Sequence, residues 1–162
     1  TLRAGIAAHA AGNPRFLKQM SDNARRNRPP LSWRGQLAAS EDATGGPGVD
    51  MNRFGRKPNT DGARIFALAS GVVATNTQDR LREAGARMGI DADDLSSWSD
   101  AFDYLQLLRL RTQHRYAAGE LPAAANPNFV PLASLSSLDR RILKETLRQV
   151  RKVQQRLALD YP

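Results

Sequence analysis

Three polar pairs in this sequence have the spacing to act together. Asp61 and Arg64 stand three residues apart, while Asn76 and Arg80, and Arg109 and Gln113, stand four apart. On a helix these offsets place both members on one face. Strongly apolar neighbours (Phe66, Leu68, Leu81, Leu108 and Leu110) direct some of these pairs into a bundle or a cleft. Charge removed from water must be paired. One reading is therefore an internal network of Asp61, Arg64 and Arg80 that supports the fold. The other is a cleft whose guanidinium forks clamp an anionic ligand. Spacing alone leaves both open.

Two further constellations have competing explanations. Asp91, Asp93 and Asp94 contain the one Asp-x-Asp of the chain, a pattern able to hold a divalent cation. Acidic residues in the first turn of a helix equally stabilise its positive end, and that reading is preferred, so no metal site is assigned. Arg109 and His114 have an Arg-x4-His spacing that resembles the active motif of HEPN ribonucleases, helical domains that cleave RNA at a dimer interface. Five residues along a regular helix turn through about 140°, however. A solvent-facing pair at a helix end explains it as well. No catalytic residue is assigned.

The elements that position these groups read as helices. Residues 2–11 form one, ended by Gly12 and Asn13; Asn13 then caps a second, with Pro14 at its first position, running to about Arg28. Pro29 and Pro30 stop it. Between residues 31 and 58 the period changes to two. Trp33, Gly35 and Leu37, and then Val49, Met51 and Arg53, predict two short strands around a glycine-rich turn at residues 45–48, with 41–48 as a loop. Asn59 or Thr60 is expected to cap a third helix through Ile65, Leu68, Ala69 and Val72. Asn76 or Thr77 starts a fourth, and Asp91 a fifth that carries Trp98, Phe102, Leu105, Leu108 and Leu110 to about Ala118. Residues 122–131 read as a loop. Ser136 and Asp139 then open the last helix as a capping box, with Leu138, Ile142, Leu147, Val150, Val153 and Leu157 apolar. The expected fold is all-α, a bundle of five or six helices with a short β-hairpin insertion at residues 31–58.

Composition narrows the chemistry. The 162 residues suit a single domain, 1–162, with a sizeable core. Without cysteine there is no disulfide, thiolate metal site or cysteine nucleophile. The longest nearly apolar run, residues 65–74, is too short to span a bilayer, and no leader opens the chain; the expectation is a cytoplasmic protein without membrane contact. The net charge of +8 rests on 20 Arg and four Lys, a bias that a GC-rich genome also produces. Residues 1–57 hold ten bases and four acids, 58–137 seven and nine, and 138–162 seven and three. That segregation, with ten scattered aromatics, lacks the continuous basic stripe of a nucleic-acid binder.

The same residues carry a family resemblance. Gly12-Asn13-Pro14-Arg15-Phe16-Leu17, Arg28-Pro29-Pro30-Leu31, Val49-Asp50 with Gly55 and Pro58, and Asp61 with Arg64 begin it. It continues through Ala67-Leu68-Ala69-Ser70-Gly71, Thr75-Asn76-Thr77-Gln78-Asp79-Arg80-Leu81 and Leu107-Leu108-Arg109-Leu110-Arg111-Thr112-Gln113. The most specific blocks are the last two, residues 135–145 and Val150-Arg151-Lys152-Val153-Gln154-Gln155. In this order they resemble the C-terminal, substrate-binding domain of bacterial nucleotidyltransferases that also carry cyclic-nucleotide-binding and CBS domains. One departure is Asn52, where that family usually has a lysine two residues after the aspartate; Arg53 or Arg56 would have to supply any phosphate contact made by that lysine.

The resemblance implies a C-terminal fragment that works with an upstream catalytic core similar to that of PII uridylyltransferases and glutamine synthetase adenylyltransferases. Mg and a nucleoside triphosphate would bind that core, and no cofactor is implied for this chain. The missing Gly-Ser dipeptide and the start at Thr1 agree with this expectation. Asp61, Arg64, Asn76, Arg80, Arg109 and Gln113 would line the face turned towards the core and bind the substrate, with arginines on nucleotide phosphates or on an acidic acceptor. The expected partners are that core and a nucleotide with a protein or small-molecule acceptor; a homodimer is compatible with this. The alternatives are a HEPN-like ribonuclease module and a non-catalytic helical interaction or regulatory domain.

Overall fold

The computed structural model describes residues 2–38, 40–41, 46–122 and 126–162, with the side chains of 40 and 41 excepted. Helix α1 (Leu2–Ala11) and helix α2 (Pro14–Ala24) meet at Gly12 and Asn13. Asn13 Oδ1 accepts from the Phe16 amide at 3.1 Å, so the capping expected from the sequence is present. Helix α2 stops at Ala24, four residues before the expected end. The cause is distant in sequence. Gln154 Nε2, from the last helix, donates to the carbonyls of Ala24 and Asn27 at 3.1 and 3.0 Å and so occupies the helix terminus.

The strands differ from the expected hairpin. Leu31 and Leu37 form a single antiparallel bridge, closed by a turn in which Gly35 has φ +72°. The spacing of Trp33, Gly35 and Leu37 thus belongs to a turn, not a strand. Strand β1 (Ser40–Glu41) pairs with β2 (Pro47–Asp50), and β2 pairs antiparallel with β3 (Phe129–Pro131), Val49 opposite Val130. The glycine-rich turn falls partly on residues 42–45, outside the described residues, as does the 123–125 part of the expected 122–131 loop. The end of that loop is β3, and no local pattern could reveal a strand whose partner lies so far away in sequence.

Met51 and Arg53 are helical. Asp50 Oδ1 accepts from the amides of Asn52 and Arg53, both at 2.9 Å, ending the strand and starting a π-helical turn, Asn52–Arg56. That turn runs directly into α3 (Lys57–Ala69). Asn59 and Thr60 therefore lie inside a helix instead of capping one. Pro58 has no amide to give the ladder and its ring crowds the preceding turn; widening to a π turn relieves both. Helices α4 (Thr77–Arg87), α5 (Ala92–Ala117) and α6 (Ser137–Asp160) follow. Asn76, Asp91 and Ser136 cap them through the amides of Asp79, Asp93 and Asp139.

The core has two halves. One packs Leu17, Phe66, Leu81, Trp98, Val153 and Leu157, with Phe66 and Trp98 stacked at 6.1 Å. The other packs Val49, Met51, Leu105, Val130, Leu143 and Val150. Helices α5 and α6 run through both and join them. Gly62 lets α3 approach α6 closely, because a Cβ there would stand 2.6 Å from Val153 Cγ1. The buried stripe of α6 is Leu143, Leu147, Val150, Val153 and Leu157; Leu138 and Ile142, expected in it, are exposed. Leu110 of α5 is likewise exposed, and Thr112 is buried. In both helices the helical period is correct, and the packing partners chose which edge of the apolar arc to cover. The all-α bundle is observed, with six helices among the described residues and the small sheet at its edge.

Candidate functional site

Arg64 on α3 and Arg80 on α4 come together with Arg3 of α1 around one concavity of about 240 Å³. Its floor is apolar, formed by Ala67, Leu68 and Val72, with Ile6 and Ala7 across from them. Arg80 Nε donates to the Ala74 carbonyl at 2.9 Å, which fixes the guanidinium at the rim. Its pKa is lowered, first by burial and then by the neighbouring charges of Arg64 and Arg3. Arginine remains protonated regardless. The physical content is an excess of positive charge in a partly dry recess, where an anion would relieve repulsion and fill hydrogen-bond donors.

The sequence allowed an internal network of Asp61, Arg64 and Arg80. The structure forms part of it. Asp61 pairs with Arg64 at 3.7 Å and with Lys57 at 3.3 Å, and these are ion pairs at the surface. Arg80 has no carboxylate partner among the described residues, so its charge is not neutralised by the fold.

The other expected residues lie elsewhere. Asn76 occupies the N-cap of α4, accepting from the Asp79 amide at 2.7 Å while its Nδ2 donates to the Asp79 carboxylate. It thereby sets the first turn of the helix that carries Arg80. Gln113 donates from Nε2 to Asn128 Oδ1 at 3.0 Å, joining α5 to the segment before β3. Arg109 is half-buried, and its Nε is buried without a hydrogen-bond partner among the described residues. His114 is exposed in the last turn of α5. Asp91 caps α5, Asp93 and Asp94 fill its first turn, and Asp94 pairs with Lys152 at 3.4 Å. These contacts are the helix-end role preferred from the sequence.

Asn52, at the position of the family's lysine, accepts from Arg56 through Oδ1 at 3.0 and 3.1 Å. Arg53 donates to Asn27 Oδ1 at 3.0 Å. Both arginines thus have partners inside the domain.

Two surface features escaped the sequence reading. A larger concavity, about 760 Å³, lies between the end of α2, the following segment and α6. The crowding of Arg25, Arg26 and Arg28 was visible in the sequence, but the approach of Arg151 from α6 was not. The second feature is an apolar patch of Leu2, Ile6 and Phe16, exposed by 82, 52 and 43%. Ile6 belongs both to the groove beside this patch and to the Arg64–Arg80 recess, so the two are continuous.

No curated protein and no solved structure matches this chain. A family model does, over residues 14–161, which include α2 through α6 and leave α1 outside. Apart from Gly12 and Asn13, the blocks that carry the resemblance fall within the match, as do Arg64, Arg80 and the capped helix α6, and the chain belongs to the family described as "Putative nucleotidyltransferase substrate binding domain".

Proposed function

We propose that this chain is the substrate-binding module of a nucleotidyltransferase and acts with a catalytic core on a preceding segment. The core supplies the metal-binding carboxylates and the triphosphate turn; this domain holds a phosphate or carboxylate of the substrate beside it. The observation that carries the reading is the recess of Arg3, Arg64 and Arg80, in which Arg80 has no balancing carboxylate among the described residues. An anion bridging Arg64 and Arg80 gains charge-assisted hydrogen bonds on an apolar floor that excludes water. The apolar patch of Leu2, Ile6 and Phe16, continuous with the recess, is the surface that the core covers.

In this reading the core-facing surface also includes Asp61, Asn76, Arg109 and Gln113, which lie outside the lining of the recess and are included for their helical pairing and the family resemblance. Within it, Asp61 orients Arg64, and Asn76 fixes the turn that presents Arg80. The parent enzyme stands beside the PII uridylyltransferases and glutamine synthetase adenylyltransferases, works in the cytoplasm, and is controlled through cyclic-nucleotide-binding and CBS domains.

The test uses the enzyme that joins this domain to its core. Arg64→Ala and Arg80→Ala each lower substrate affinity or transfer rate by about tenfold or more, the scale of a lost charge-assisted hydrogen bond. Unchanged affinity and rate in both variants would overturn the assignment.

A further inference from the structure

The larger concavity is rich in arginine. Four arginines, Arg25, Arg26, Arg28 and Arg151, line it against a single carboxylate, Asp22. Asp22 is taken up by Arg25, whose Nη2 donates to it at 2.6 Å. That contact, more than any other, holds the carboxyl below its usual range. Arg151 uses one nitrogen on the Leu31 carbonyl at 2.7 Å and is thereby held at the groove wall. Arg26 and Arg28 are exposed, and their guanidinium groups have no hydrogen bond or ion pair among the described residues. Positive charge is concentrated here and largely unanswered.

An aromatic ring completes the groove. Trp33 is 86% exposed, the most exposed of the large apolar side chains described. Its turn is closed by backbone and side-chain hydrogen bonds. The bridge between Leu31 and Leu37, the Ser32 amide on the Gln36 carbonyl at 2.8 Å and the Gln36 amide on Ser32 Oγ at 3.1 Å close the turn on itself. Arg34 lies over the indole, 4.6 Å from the ring centroid. A tight turn thus holds a large flat apolar surface in water beside a cluster of arginines, an arrangement that costs free energy unless something covers the ring.

We propose that this groove binds a nucleoside polyphosphate, its base stacked on Trp33 and its phosphates on Arg26, Arg28 and Arg151. The ligand chemistry follows from the parts. Phosphate oxygens suit planar guanidinium forks, and a base suits an indole face with a cation on the other side. One aromatic platform serves one base. A volume of about 760 Å³ is that of a small-molecule site, whereas a strand of nucleic acid needs a charged track with several stacking side chains. The groove shares no lining residue with the Arg64–Arg80 recess, so the proposal stands independently of the reading given for that recess.

Fluorescence tests it directly, because the second tryptophan, Trp98, is buried at 2% exposure and stacked on Phe66, leaving Trp33 as the ring a ligand can reach. Titration of the chain with ATP, and separately with UTP, is expected to quench Trp33 saturably, with affinity that falls as salt is raised. Arg26→Ala with Arg28→Ala should weaken binding by about tenfold or more. Trp33→Ala should abolish the quench and weaken ATP in a calorimetric titration while sparing inorganic tripolyphosphate, which has no base. Circular dichroism confirms that these surface variants remain folded. Absence of saturable quenching, or equal affinity for ATP and tripolyphosphate, would overturn the proposal. So would a single-stranded oligoribonucleotide that binds more tightly than ATP in proportion to its length.

Discussion

Asn126 Nδ2 donates to Asp50 Oδ2 at 2.8 Å, across 76 residues of chain. The other oxygen of the same carboxylate accepts from the amides of Asn52 and Arg53. One half-buried side chain therefore ends β2, starts the π-helical turn and ties both to the segment before β3. Asn126 Oδ1 in turn accepts from the Asn128 amide at 3.0 Å, and Asn128 meets Gln113 of α5.

Removing that carboxylate leaves three donors unanswered. Asp50→Ala is expected to destabilise the domain by about 2 kcal/mol or more, and Asp50→Asn, which keeps one carbonyl oxygen, by less. Urea denaturation monitored by circular dichroism measures both. Equal stability of the alanine variant and the parent would contradict the organising role of Asp50.

At Asn76 two roles can be separated by choice of substitution. Asn76→Ala removes the N-cap of α4 and is expected to cost about 1 kcal/mol. Asn76→Asp keeps a capping oxygen but loses the hydrogen bond to the Asp79 carboxylate and sets two carboxylates together, so it recovers only part of that stability. The aspartate also places a negative charge close to Arg80. If the Arg80 recess binds an anion, Asn76→Asp weakens that binding more than Asn76→Ala does, although it keeps more of the cap. A binding titration beside thermal denaturation gives both readouts.

Tyr104 reports on the packing of α5 against α6 at alkaline pH. Its hydroxyl faces the Asp139 carbonyl at 3.3 Å, and its pKa is pushed up to about 12, first by burial and then by the Asp139 carboxylate, with Arg111 opposing. The folded state favours the neutral phenol. Its stabilising effect is thus complete below the unfolded value of 10.0 and is lost as pH rises through about 12. A phenolate absorbance titration should show a late phase near pH 12 that Tyr104→Phe removes. A variant that keeps the late phase would reassign it.

Local features of the chain were sufficient for the starts of four helices, α2, α4, α5 and α6. The caps Asn13, Asn76, Asp91 and Ser136 and the apolar period of each helix are set within a few residues, so they are legible without a fold. Family blocks such as 135–145 were legible for the same reason, as was the class of the protein. What depended on distant partners was not. Ala24 ends its helix because Gln154 takes the carbonyls there; β2 is a strand because β3 arrives to pair with it; Leu143 is buried and Ile142 exposed because of what α6 packs against.

The candidate sites divide along the same line. The pairing of Asp61 with Arg64 is a helix spacing and could be read directly. That Arg3 and Arg80 join Arg64 in one recess, or that Arg151 reaches Arg26 and Arg28 beside Trp33, depends on helices meeting across the bundle. Sequence determines which side chains can share a helix face, because that is a matter of 3.6 residues per turn. Only tertiary packing decides which faces meet, which charges are left without a partner, and so where an anion would find its donors.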